Sequence, residues 1–296
     1  MPAERTILII GKNGQIGWEL CRTMSTLGNI VALDYPEVDL ANPDSLISTI
    51  RSVKPSLIIN AAAYTAVDKA ESEPDLAMTV NGIAPGIIAE EAKRLGAPLV
   101  HYSTDYVYDG TKQEPYVEDD ATAPLNVYGH TKLVGDEAIQ AVGVHHFILR
   151  TSWIYGWRGH NFLVTMLRLA REQEEIQVVD DQVGTPNCSR DIAEATGHVV
   201  RLGVKGGTEY FAEHSGIYHL TASGSTSWYG FAKAIFTADP NSAEHKLKRL
   251  IPIASTKYGS KVHRPARSVL DATKFTGEFG YQMPSWKQPL EMWERS

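Results

Sequence analysis

Sulfur is scarce in this chain: its 296 residues carry two cysteines, Cys21 and Cys188, and no Cys-x-x-Cys pair. That excludes a disulfide framework and a thiolate metal site, and it fits a reducing, cytoplasmic setting. The ten histidines are scattered without metal-ligand spacing, and His101 reads as a packed strand residue, so we expect no metal. No apolar run approaches the roughly 20 residues of a membrane span. Residues 1–6 lack the apolar core of a signal peptide. Positive charge is also short: 28 Lys and Arg stand against 35 Asp and Glu, a net charge of −7. That argues against nucleic acid as the main partner. There is no internal repeat and no low-complexity tract.

What the chain does have is alternation. Short apolar runs at Thr6–Ile10, Asn29–Leu33, Leu57–Asn60, Leu99–Ser103 and His146–Arg150 are separated by helix-like segments near 15–27, 43–53, 75–95 and 127–141. A short third strand should end at Val38-Asp39-Leu40. Further helices are expected at 161–173, 190–202 and 227–237, with a strand at Gly216–Leu220 and a flexible loop at 203–208. Strict strand–helix alternation argues for an α/β fold of Rossmann type, a doubly wound parallel sheet, with a smaller C-terminal α/β substrate-binding domain. We expect residues 1–150 to form the dinucleotide-binding domain, with parts of 151–200 and 215–235 returning to it. Residues 151–296 would mainly bind substrate.

Gly11-Lys-Asn-Gly14-Gln15-Ile16-Gly17 follows the first strand directly. Such a loop lets a pyrophosphate lie against bare backbone at a helix N-terminus. The spacing is weak alone, but strand, loop and helix stand in the right order. Asp34 ends the next apolar run, where a ribose 2′-hydroxyl would be read. Asp39 could accept an adenine amino group, or be a turn residue. Asn60-Ala61-Ala62-Ala63-Tyr64-Thr65 closes another run with side chains small enough for a cofactor to approach.

Tyr-x3-Lys occurs three times, at Tyr108/Lys112, Tyr128/Lys132 and Tyr229/Lys233. Only Tyr128/Lys132 opens a helix inside the nucleotide half, after the strand end Ser103-Thr104-Asp105. A free tyrosine has a pKa of about 10, too high for efficient exchange at neutral pH. An ammonium about 4 Å away would supply about 4 kcal/mol and bring the phenol to about 7. Thr104 could hold the substrate oxygen. Trp153, after the next strand, is either packing or a flat wall for a sugar or base. From His245 to Leu270 there are seven Lys or Arg and no acid. The stretch is either a solvated face or a positive field for a diphosphate, with Arg264 and Arg267 suited to bidentate contact.

These blocks resemble a known family. The glycine loop, Asn60-Ala-Ala-Ala-Tyr-Thr-Ala-Val-Asp68-Lys-Ala-Glu71, His101-Tyr-Ser-Thr-Asp-Tyr-Val-Tyr108, Pro124-Leu-Asn-Val-Tyr128-Gly-His-Thr-Lys132, Arg150-Thr-Ser-Trp153, Asp181-Gln-x-Gly-x-Pro186, Gly216-Ile-Tyr-His-Leu220 and Arg264-Pro-x-x-Ser268 are similar to those of extended short-chain dehydrogenases. More closely, they resemble the dTDP-4-dehydrorhamnose reductases, over nearly the whole length. The resemblance implies reduction of a dTDP-4-dehydro sugar with NADH or NADPH. It implies Tyr128 as proton donor, Lys132 as its modulator and ribose ligand, and Thr104 as third catalytic hydroxyl. Thr104, Asp105 and Trp153 would line the sugar-nucleotide site, and Arg264 and Arg267 would meet its diphosphate. Gly14, Gln15, Ile16, Asp34, Asp39, Leu40, Ala63, Tyr64 and Thr65 would hold the cofactor.

Some members are dimers bridged by magnesium on glutamates. Glu19 matches one such position and Arg190 stands at another, so a homodimer is left open and no metal is assigned. Related dehydratases carry Asp-Glu after the threonine, whereas Tyr106 follows Asp105 here. Two rivals stand beside the reductase: an epimerase or other ketoreductase on the same scaffold, and a non-catalytic subunit of the kind that regulates methionine adenosyltransferase.

Overall fold

A computed structural model describes residues 5–260 and 262–294. Residues 1–4, on which the leader reading rests, and Lys261 of the basic run lie outside the described residues. Among the described residues no helix is long and apolar enough to cross a membrane.

The five predicted runs form five strands of a six-stranded parallel sheet. They are β1 (Thr6–Ile10), β2 (Asn29–Leu33), β3 (Leu57–Asn60), β4 (Leu99–Thr104) and β5 (His146–Thr151), joined by Gly216–His219. The spatial order is Gly216–His219, β5, β4, β3, β1, β2. β3, β4 and β5 are buried along their whole length. That is why they read as continuous apolar runs and not as alternating ones.

Helices cover both faces. α1 (Gln15–Thr23) packs with α8 (Ser189–Glu213) on one side, and α2 (Pro43–Val53), α5 (Ala84–Leu95) and α6 (Val127–Val142) pack on the other. Between α2 and α5 lie two short helices, α3 (Val67–Ala70) and α4 (Pro74–Met78). α7 (Phe162–Glu172) and α9 (Trp228–Ala238) build a separate apolar cluster, with Phe231, Ile235 and Trp286, over a parallel pair made of Glu175–Val179 and Arg249–Ile253.

Three expectations are corrected. Val38–Leu40 is not a strand, so β2 is the sheet edge. Instead Val38 N–H donates to Asp34 O and Asn42 N–H to Asp39 O, and the segment folds as successive turns. The expected helix over 75–95 is interrupted by a π-turn at Thr79–Ile83. Asn81 in that turn is buried and bonds Tyr64 N, Tyr64 O and Thr131 Oγ1, tying the end of β3 to α6. Residues 203–208 are not a loop. α8 runs on to Glu213 with a break only at Gly207 (φ 73°), because Phe211 is drawn into the main core.

Candidate active site

A cleft of about 630 Å³ opens at the C-terminal ends of β1, β3, β4 and β5. Ligands bind at that end in open α/β sheets. Gly11 begins it with φ +96°, and a Cβ there would lie 2.7 Å from Ala62 N. The loop is held by Gly11 N–H to Leu33 O, 2.8 Å, and α1 then starts from Gly14 as its cap. Backbone N–H groups and a helix N-terminus therefore face the cleft, a cradle for an anion. Asp34 sits at the rim, accepting from Asn13 N–H at 2.9 Å and Tyr35 N–H at 2.8 Å. Lys12 is paired with Glu37.

The deep end holds the reactive side chains. Asn126 caps α6 by accepting from Gly129 N–H at 2.8 Å. A Cβ at Gly129 would lie 2.2 Å from Tyr106 O, so only glycine lets α6 come this close to the end of β4. That approach brings Tyr128 beside Thr104, whose hydroxyl works against the effect of burial on the phenol. Thr104 also caps the following turn through Tyr106 N–H, 3.1 Å, and donates to Asp105 Oδ1, 3.2 Å.

Lys132, one helical turn on from Tyr128, is 1% exposed. Its Nζ lies 2.7 Å from Tyr102 O and 3.0 Å from His101 Nε2. Burial pushes Tyr128 up to about 12 and Lys132 down to about 8. The expected phenol near neutral is thus corrected: Lys132 is engaged by β4, and burial governs both groups. Burial also raises Asp105 to about 7, and its Oδ2 has no partner.

The cleft brings together Gly11, Gly14, Gln15, Ile16, Asp34, Ala62, Ala63, Thr65, Thr104, Asp105, Tyr128, Lys132 and Trp153. It does not bring in six others. Gly17 serves packing, since a Cβ there would sit 1.9 Å from Gly11 O. Tyr64 donates to Glu73, Asp39 caps Ala41 N–H, and Leu40 packs in the core. Arg267 lies off the cleft wall and bridges to Val183 through its backbone.

Arg264 faces an adjoining cavity of about 530 Å³ and donates to Asp68 Oδ2 at 2.6 Å and Ser260 Oγ at 2.8 Å. The cavities share His160, Asn161 and Trp228. Within the basic run, Lys248 and Arg249 are paired with Glu174 and Glu175, so much of the expected positive field is neutralised locally. Of the other Tyr-x3-Lys pairs, Lys112 is bound to Asp120, and Tyr229/Lys233 lies on α9 away from the cleft.

Comparison with known proteins gives the same picture. A family model described as the RmlD substrate binding domain matches residues 5–294. A dTDP-4-dehydrorhamnose reductase of Burkholderia thailandensis is 45% identical over 284 residues, 95% of each chain. One from Escherichia coli K12 is 44% identical over 286 residues, covering 95% of this chain and 94% of that protein. The crystal structure of a dTDP-4-dehydrorhamnose reductase from Bacillus anthracis in complex with NADP superposes with a TM-score of 0.87 at 35% identity, covering 98% of each chain. This chain belongs to the RmlD family of dTDP-4-dehydrorhamnose reductases.

Glu19 accepts from Arg22 Nε at 3.4 Å and lies 3.8 Å from Arg190. Among the described residues no group of three His, Cys, Asp or Glu could hold a metal ion. Sequence reasoning missed Asn13, Asn81, Asn161 and Trp228. Asn161 donates to Gln15 Oε1 at 2.9 Å and to Gly156 O at 2.9 Å, closing the cleft from the side. Asn161 could have been found as an N-cap before an apolar helix; Trp228 gives no local signal.

Proposed function

We propose that this protein reduces dTDP-4-dehydro-β-L-rhamnose to dTDP-L-rhamnose with NADH or NADPH, in the cytoplasm, as a step in dTDP-rhamnose biosynthesis. The observation that carries the reading is the convergence of Thr104, Tyr128 and Lys132 at the deep end of a cleft whose other end is the glycine cradle. The residues present fit a nicotinamide dinucleotide: bare backbone at Gly11 and Gly14, small side chains at Ala61–Ala63, and a carboxylate at Asp34. Lys132 and Tyr128 would flank its ribose, and the cofactor when bound supplies a hydride.

The chain's own residues do the rest. Tyr128, pushed up to about 12, stays protonated at neutral pH and is therefore a proton donor to the ketone oxygen. Thr104 donates to the same oxygen and fixes its line to Tyr128. Burial excludes water from this exchange, which strengthens each of these bonds. The sugar nucleotide extends past Trp153 and Trp228 toward the adjoining cavity, where its diphosphate would compete with Asp68 for Arg264. Residues 1–150 act as the cofactor half and most of 151–296 as the substrate half. With Tyr106 after Asp105, no glutamate stands where a dehydratase needs one to remove a proton.

The test is reduced-cofactor consumption with dTDP-4-dehydrorhamnose. Consumption in step with ketone loss is expected. If neither cofactor is oxidised, the reading fails, and interconversion of sugars without cofactor consumption would make the protein an epimerase.

A further inference from the structure

The helix that carries Tyr128 and Lys132 starts at a residue whose side chain is used at both ends. Asn126 is 8% exposed. Its Oδ1 accepts from Gly129 N–H at 2.8 Å. A backbone N–H can only donate, so the amide oxygen must face the helix and Nδ2 must face away from it. Nδ2 donates to His263 O at 2.8 Å, across 137 positions of sequence. A carbonyl can only accept, so both bonds agree on one orientation of the amide. Capping alone does not call for asparagine, since aspartate and serine cap as well. The second bond does, because it needs an N–H on the same short side chain.

His263 precedes Arg264, and both line the adjoining cavity. Tyr128 stands two residues after Asn126 and lines the cleft. One amide therefore joins the backbone that presents Arg264 to the helical turn that presents Tyr128. We propose that Asn126 is a positioning residue that fixes the backbone at Arg264 to α6, so that a sugar nucleotide's diphosphate and Tyr128 share one frame.

A second tie runs through α3 and has a different character. Asp68 Oδ2 accepts from Arg264 at 2.6 Å, and its Oδ1 accepts from Ser260 Oγ at 3.0 Å. Glu71, three residues on, accepts from Val127 N–H at 2.9 Å. These bonds also connect Arg264 with the start of α6. The Asp68 side chain is 64% exposed, and an ion pair open to water contributes little. A diphosphate that takes Arg264 takes it from Asp68. The bond from Asn126 goes to backbone and not to the guanidinium, so it survives that exchange. It is the tie that remains when the cavity is filled. Without it, Arg264 would grip the nucleotide without fixing where the ketone lies against Tyr128. A misplacement of about 1 Å can cost about a hundredfold in rate. This consequence rests on the reductase reading; the tie itself does not.

The test uses two variants of the full-length protein, Asn126→Asp and Asn126→Ser. Both keep an oxygen for Gly129 N–H, so the cap stays. Neither reproduces the bond to His263 O: a carboxylate has no proton to give, and the serine side chain is one bond shorter. Thermal melts check that both fold. Hydrogen exchange read by mass spectrometry comes first, without substrate. We expect the amides of residues 262–266 to exchange about tenfold faster in both variants, with α6 unchanged. Turnover follows. We expect kcat to fall about tenfold or more in both, while affinities for cofactor and for free dTDP stay within about threefold. A residue that only capped the helix would instead lose α6 protection and cofactor affinity together. Unchanged exchange at 262–266 in both variants would overturn the proposal. So would wild-type kcat in both, or a loss confined to Asn126→Asp, which would be an effect of its charge. In the wild type, one Asn126 side-chain N–H should exchange slowly by proton NMR. Rapid exchange of both protons overturns the proposal even if neither variant folds. If the wild type shows no turnover, the functional reading fails while the exchange data still judge the tie.

Discussion

The indole of Trp153 lies flat on that of Trp228, with ring centroids 3.6 Å apart and planes 8° from parallel. Trp153 holds this position with φ +43°, in the left-handed region, two residues after β5. Gly184 supports it from behind: a Cβ there would lie 2.6 Å from Trp153 Cε2. Both indoles line the cleft, and Trp228 also lines the adjoining cavity.

Gly184→Ala must therefore displace the indole. We expect KM for the sugar nucleotide to rise by about tenfold or more, some 1.4 kcal/mol, with cofactor affinity kept. Steady-state kinetics beside cofactor titration checks this, and an unchanged KM would remove Trp153 from the substrate site.

Tyr128→Phe keeps the ring against Tyr106 and removes the proton donor. Turnover should fall by at least about a hundredfold, the worth of a positioned acid, while the cofactor still binds. Lys132→Ala should lose both turnover and cofactor affinity. A phenylalanine variant with more than about a tenth of normal turnover would disprove the role given to Tyr128.

Asp105 gives a pH prediction. Burial raises its carboxyl from 3.8 to about 7. A folded-state value above the unfolded one means that ionisation penalises the fold. The penalty is absent below pH about 4, grows as pH rises toward about 7 and is complete above it, on the order of 2–4 kcal/mol. Asn at this position keeps an oxygen for Thr104 and carries no charge. The melting temperature of Asp105→Asn relative to the wild type should therefore be higher at pH about 8 than at pH about 5. A difference that is flat with pH would mean that the carboxyl is solvated.

Cofactor choice turns on Asp34 and Lys12. The carboxylate at the rim suits a ribose 2′-hydroxyl and repels a 2′-phosphate. Lys12, the nearby cation in the glycine loop, is occupied by Glu37. Both cofactors should work, with NADH at least equal to NADPH in kcat/KM. Glu37→Gln should shift the balance toward NADPH by freeing Lys12. Side-by-side specificity constants test this, and a preference for NADPH above about tenfold in the wild type would count against Asp34 as the deciding group.

Much of the sheet and the cleft is legible in the sequence, because a fully buried parallel strand leaves an apolar run and a phosphate cradle needs glycine. The glycine loop, Asp34, Thr104, Tyr128 and Lys132 are all of this local kind. What sequence did not reveal is set by contacts between distant segments. Asn81 earns its place through a π-turn that no periodicity announces. Trp228 meets Trp153 from 75 positions away. The acid-free run from 245 to 270 looked like a field of free charge. Its Lys248 and Arg249 are matched by Glu174 and Glu175 at the start of the neighbouring strand, and Arg264 by Asp68. Spacing on a helix shows which side chains share a face, not how deeply that face is buried, and burial is what raises the Tyr128 phenol.

The most direct test of the account is to run the reaction with nicotinamide cofactor deuterated at the transferring position and to locate the label in the sugar nucleotide by proton NMR. The account predicts deuterium at C4 of dTDP-L-rhamnose, in one configuration, and almost none with Tyr128→Phe in the same time. Label at another carbon, or a reduced sugar with no label, would contradict it.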